Sequence, residues 1–137
     1  MSKIFLIFLL FCGSLLADKD WIASDTGKTV FSIQGDTVVT CSDSENRMLM
    51  TIKNPNIEDI PEGKAVYIIT ENSAIIGGSF QNSIWFLDNS GSLIKELREK
   101  TGVLITILDF VSLEPLDRMY ISALGFSKAL DEIYEVN

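Results

Sequence analysis

Two short motifs in the second half of the chain have residue types suited to acyl transfer. Ser92-Leu93-Ile94-Lys95 sets a hydroxyl and an amine three residues apart. On one face of a helix such a lysine can take the serine proton. Lys100-Thr101-Gly102 supplies the second signature of that chemistry. Its placement is wrong, because the second motif belongs far downstream, on a strand facing the serine. Here only four residues separate the two. The better reading is a helix-capping Ser92 and a solvated Lys95, with a Ser–Lys nucleophile as the catalytic alternative.

Other candidates fail on spacing. Gly27-Lys28-Thr29 ends as a phosphate-binding loop ends, but the glycine required five residues earlier is Ile22. The residues that follow have strand character, whereas the motif must open a helix whose N–H groups face phosphate. Asp43, Glu45 and Asn46 offer calcium oxygen ligands without the central glycine and distant glutamate of an EF-hand loop. Glu58-Asp59 reads as solvated. So does Asp131-Glu132, expected in the first turn of a terminal helix, where the dipole favours negative charge. Trp85 lies in an apolar run and is expected in the core. Trp21 either docks the amino-terminal segment or is exposed for binding.

The chain has no histidine. That removes the commonest general acid or base at neutral pH, the Ser-His and Cys-His pairs, and the usual zinc ligand. The expectation is a non-enzyme with no catalytic residues, no metal and no cofactor.

The elements that carry these residues begin with an export signal. Lys3 precedes an apolar stretch of about 13 residues ending at Ala17, and the charged Asp18-Lys19-Asp20 follows. That length suits a signal peptide and falls short of the ~20 residues needed to span a bilayer. Residues 1–17 are therefore expected to be removed, leaving 18–137 as one periplasmic or secreted domain. Lipidation at Cys12 is the rival, weakened by Phe11 where a small residue belongs. Cleavage leaves Cys41 alone, and strand alternation sets it beside Val39, as a buried apolar side chain. Losing Lys3 takes the net charge from -8 to -9. Such a surface repels nucleic acid and anionic membranes. It permits a protein partner.

Alternation and β-branched residues mark eight strands, at 29–33, 36–41, 47–53, 64–71, 74–76, 83–87, 103–110 and 118–124. Asn72-Ser73 is a hairpin turn. Gly77-Gly78 suggests a bulge or close backbone approach. Residues 54–63 read as loop. Leu93, Ile94 and Leu97 form one face of a helix after Ser92, with Glu96 mostly outside it. A second helix runs from Lys128 to about Glu135. The expected fold is mainly β: an antiparallel β-sandwich or partly closed sheet with one inserted helix and a C-terminal helix.

Three stretches together resemble the invasion-associated locus B family of small bacterial periplasmic proteins. They are Trp21 soon after the signal, Cys41 ahead of Met48-Leu49-Met50-Thr51-Ile52, and the ending Ile121-Ser122-Ala123-Leu124-Gly125-Phe126-Ser127-Lys128-Ala129-Leu130. The likeness covers most of the mature chain in layout and about a dozen residues in detail. Family members typically carry paired cysteines, and this chain keeps one. The resemblance implies a periplasmic β-sandwich without known catalysis, and it transfers no site residues.

Together these features suggest an exported binding or accessory domain, related to the envelope or to host contact. A small acidic inhibitor or immunity protein against a hydrolase is the alternative. An enzyme using carboxylates or the Ser–Lys pair ranks below both. Intact mass of the exported protein checks the processing site. The expected mass is that of a chain starting at Asp18; a lipid-modified chain starting at Cys12 overturns it.

Overall fold

In the computed structural model, residues 20–24, 28–44 and 47–135 are described. The expected signal peptide, Gly27 and the Glu45-Asn46 pair lie outside them. Nine strands form among these residues: β1 (Ile22–Ala23), β2 (Thr29–Gln34), β3 (Thr37–Ser44), β4 (Arg47–Lys53), β5 (Ala65–Ile69), β6 (Ala74–Phe80), β7 (Ser83–Asp88), β8 (Gly102–Asp109) and β9 (Pro115–Ser122). Three helices accompany them: α1 (Pro55–Glu58), α2 (Ser92–Glu99) and α3 (Phe126–Glu135).

All nine strands join one curled antiparallel sheet in the order β1-β2-β3-β4-β7-β6-β5-β8-β9. The chain meanders through β1 to β4 and crosses by α1 to β5. It then returns through β6 and β7 to pair with β4. Finally α2 carries it to the free side of β5, where β8 and β9 are added. The mainly β fold with an inserted and a terminal helix is as expected. The sequence reading lacks the two-residue β1.

Alternation decides the core. Along β4, Met48, Met50 and Ile52 are buried while Arg47, Leu49, Thr51 and Lys53 face the other way. Register extends this into a row across the sheet: Val30, Cys41, Met50, Phe86, Gly77 and Val66 stand side by side. The helices add to the same core. Leu93 and Leu97 come from α2, and Phe126, Ala129, Leu130 and Ile133 from α3. Trp21 is buried among them, edge-on to Phe126 with ring centroids 4.9 Å apart. Its indole N–H donates to Ser122 O at 2.7 Å. It is therefore a plug that docks the amino-terminal segment.

Local chemistry sets the connections. Asn54 caps α1, its Oδ1 accepting from Ile57 N at 2.9 Å, and Pro55 opens the helix. This turn replaces part of the loop expected at 54–63, and it buries Ile57. Gln81 and Asn82, at φ 53° and 63°, make the two-residue hairpin between β6 and β7. That turn extends β6 to Phe80. Pro115 opens β9 ahead of the start expected at 118, and α3 begins at Phe126 rather than Lys128.

At Gly77 the neighbouring strands leave no room for a side chain. A Cβ there would lie 2.6 Å from Trp85 O, 2.8 Å from Ile68 Cδ1 and 2.9 Å from Phe86 Cβ. At neighbouring Gly78 the nearest atom would be 3.7 Å away. Gly77→Ala is expected to destabilise by about 1–3 kcal/mol through overpacking, and Gly78→Ala to be near neutral. Urea unfolding of the two variants checks this; equal midpoints would contradict it.

Candidate functional site

Two buried carboxylates bracket α2. Asp88 ends β7, and its Oδ2 accepts from Ile94 N at 2.9 Å, capping the helix through a side chain four residues before it. The expected cap, Ser92, is the first helical residue instead. Gly91 holds the cap position in the left-handed region at φ 74° and has no side chain to offer. One turn into the helix stands Glu96, only 3% exposed. The sequence reading placed it mostly outside. It shares the inward face with Leu93, three residues before it, and a polar niche in the β5–β6 turn receives it.

That niche is made of hydroxyls. Thr70 Oγ1 donates to Glu96 Oε2 at 2.5 Å, and Ser73 Oγ lies 2.6 Å from the same oxygen. Ser73 Oγ is also 2.9 Å from Ser92 Oγ. Having one proton, Ser73 gives it to the carboxylate, which leaves Ser92 as donor to Ser73. The turn is closed by Thr70 N donating to Ser73 O and Ser73 N to Thr70 Oγ1. Glu96 Oε1 is buried and accepts no hydrogen bond.

Glu96 lies at the side of a cleft of about 380 Å³ between the end of β5 and the start of β8. Ile69, Thr70, Val103, Leu104 and Thr106 contribute its walls, with Glu71 and Lys100. Lys100 Nζ donates to Glu71 Oε1 at 2.7 Å and stands 3.5 Å from Glu96 Oε1. The hydrogen bond from Lys100 holds the Glu71 carboxyl below its ordinary range, and the Lys100 ammonium is held above its own chiefly by the same bond. The cleft therefore holds two carboxylates and one ammonium.

The other sequence candidates separate. Ser92 bonds to Ser73, while Lys95 is exposed. Lys28 is exposed beside β2, and Thr29 is inside that strand. Asp43 lines a second hollow, with Arg47 and Asp88, at the top of β4 and β7. Glu58 and Asp59 are exposed, as expected. Asp131 lies past the first turn of α3 and pairs with Arg98 of α2 at 2.8 Å. Among the described residues, no group of three or more His, Cys, Asp or Glu side chains is placed to hold a metal. No described helix is long and apolar enough to cross a membrane.

Trp85 corrects the reading that put it in the core. Alternation buries Ile84 and Phe86 and turns Trp85 outward, where it is half-buried against Phe80 and donates to Phe80 O at 3.0 Å. It belongs to an apolar outer face. Ile76 pairs with Tyr67, Tyr67 with Leu108, and Leu104 with Tyr120 on that face. Ile76, Leu104 and Tyr120 are 59%, 51% and 61% exposed. Leu104 belongs both to this face and to the Glu96 cleft. The sequence signal was present, since both parities of β5 through β8 are apolar; only pairing told which side the helices cover.

Comparison with protein families, characterised proteins and solved structures finds no match.

Cys41 is fully buried between Val30 and Met50, and burial pushes its thiol far above its ordinary value, with Asp88 adding to the rise. A thiol so placed is inert. Iodoacetamide is expected to leave the native protein unmodified and to add one label at Cys41 in denaturant, read by mass spectrometry. Labelling of the folded protein at the rate of a free thiol would contradict the burial.

Proposed function

We propose that the chain is exported and serves as a binding or accessory domain, contacting a protein partner through the outer face of β5 to β9. The observation that carries this reading is the uncovered apolar surface around Ile76, Tyr67, Leu104 and Tyr120. The polar Thr106–Arg118 pair stands between the Leu104–Tyr120 pair and Leu108, and exposed apolar area grouped on either side of such a pair marks an interaction surface. The exposed β8–β9 loop continues it, with Val111 88% and Leu113 56% exposed.

Charge supports the kind of partner. The net charge of -8 and the Glu71–Glu96 cleft beside the apolar face favour a basic protein. The export signal and the resemblance to small periplasmic proteins support a periplasmic or secreted setting. The hydrogen bond of Ser92 to Ser73 and the exposure of Lys95 support contact over catalysis by a Ser–Lys pair.

A photo-crosslinking residue placed in turn at Ile76, Leu104 and, as a control, the exposed Glu58 of α1 tests the reading in cells. The first two positions are expected to capture the same basic protein, and Glu58 none. The purified partner should bind with salt-dependent affinity, and Leu104→Asp should weaken it about tenfold or more. Absence of adducts at both face positions, capture of a second copy of this chain, or an unaffected Leu104→Asp variant would overturn it.

A further inference from the structure

Nothing in the fold requires Gly78. Glycine weakens a strand, and inside one it marks a bulge, a bend, or the close approach of a backbone or a ligand. The register runs unbroken from Ala65–Gly78 to Val66–Gly77 and from Gly77–Phe86 to Gly78–Trp85, so there is no bulge. Gly78 is not in the left-handed region. A Cβ on it would meet only Lys64 O, at an ordinary 3.7 Å, so no backbone crowds it as one crowds Gly77. The close approach of a ligand is the reading left.

Its surroundings are built for one. Directly paired residues share a sheet face, so Trp85, Gly78 and Ala65 form one outward row. Phe110 continues it, its N–H donating to Ala65 O at 3.1 Å. Phe80, two residues past Gly78, packs edge-on to Trp85 with ring centroids 5.9 Å apart. Tyr67, two residues past Ala65, packs on Phe110 at 4.8 Å. Two ring pairs thus stand at opposite ends of a floor made of the two smallest side chains. Ala65 is exposed, and Phe80 and Phe110 are 48% and 37% exposed. Trp85 and Phe110 are three strand steps apart, about 14 Å.

The chemistry of this trough selects its occupant. The floor and the four rings carry no charge. The Trp85 indole N–H is taken by Phe80 O, while the Tyr67 hydroxyl has no partner among the described residues. One free hydroxyl is too little for a sugar, whose many hydroxyls need partners. An α-helix, about 10–12 Å across with its side chains, would fill the span and leave no room for the rings. A β-strand finds no edge here, because β5 and β6 have neighbours on both sides. A polyproline II segment meets each condition. It is slender, its backbone needs no pairing, and its prolines pack on aromatic walls while a ring hydroxyl donates to a carbonyl.

We infer that the trough over Gly78 and Ala65 docks a proline-rich segment of the partner in the polyproline II conformation. This deepens the sheet-face reading and rests on it, since Ile76 and Tyr67 of that face adjoin the trough.

The test uses the processed, full-length protein labelled with 15N and titrated with acetyl-Pro-Pro-Leu-Pro-Pro-Leu-amide. Saturable shifts are expected at the Gly78 amide and the Trp85 indole N–H, with the buried Trp21 indole unchanged. The peptide with alanine in place of every proline should bind about tenfold more weakly or worse. Gly78→Val fills the floor and should weaken binding to the same extent while retaining the amide spectrum of a folded chain. If it does not fold, Trp85→Leu decides, since loss of the exposed ring should cost about tenfold or more. No saturable shift, equal binding of the alanine peptide, or a folded Gly78→Val variant that binds unchanged would overturn the inference. So would saturation of the same signals by maltotriose and not by the proline peptide. Such a failure with intact crosslinking at Ile76 and Leu104 removes the trough and leaves the sheet face; loss of the crosslinks as well removes both.

Discussion

A sheet of nine strands that curls without strand pairing at its ends must do something with its two edges, whose outward N–H and C=O groups are otherwise unpaired. Here one side chain imitates a missing strand. Gln34, at the end of β2, accepts from Ser122 N at 2.9 Å through Oε1 and donates to Ser122 O at 3.1 Å through Nε2. The amide thus pairs with a β9 peptide as another peptide would. Its Nε2 also reaches Ser32 Oγ, which donates to Asp20 O, while Asp20 N donates to Leu124 O. Trp21 adds its indole N–H to the same Ser122 carbonyl. Lower on β9, Asp117 accepts from Asn54 at 2.8 Å and from Asn56 at 3.1 Å. Edge strand, amino-terminal plug and first helix are tied along one seam, and the packing of Trp21 on Phe126 depends on it.

The seam explains why α2 can carry buried charge. With the sheet curled, the crossing from β7 to β8 lies close over the strand ends, so the inward face of α2, Leu93, Glu96 and Leu97, is taken out of water while Lys95, Arg98 and Glu99 stay exposed. Asp88 compensates by capping Ile94 and Glu96 by accepting two hydroxyl protons, yet each keeps one oxygen without a hydrogen bond. Arg98 then links α2 to α3 through Asp131, an exposed pair whose contribution is small beside the apolar contacts.

Much of the sheet was legible because alternation is a direct record of a pleat with one wet side. The strands around Met50 and Val39 could be placed from that alone, as could the burial of Cys41; the Gly77-Gly78 pair signalled a bulge or a close approach, and the close approach is at Gly77. Features that depend on few residues were not. β1 is two residues long and has no period, and α1 is a single turn whose only signals are Asn54 and Pro55. The hairpin at Gln81-Asn82 uses positive φ without glycine. Trp85 and Glu96 were misplaced for a common reason. Each lies where residue type and geometry disagree, and geometry prevails: strand parity turns an aromatic outward, and helix periodicity turns a carboxylate inward.

The hydrogen-bond requirement around Glu96 does not itself call for a charge. The carbonyl oxygen of a glutamine would accept from Thr70 and Ser73 equally well, and its amide would spare the fold the desolvation of an ion. The charge answers instead the Lys100 ammonium 3.5 Å from Oε1, where a glutamine amide would set one donor against another. Two hydroxyls fix the carboxylate in one orientation. Its second oxygen faces the Lys100 ammonium, which ties α2 to the cleft between β5 and β8.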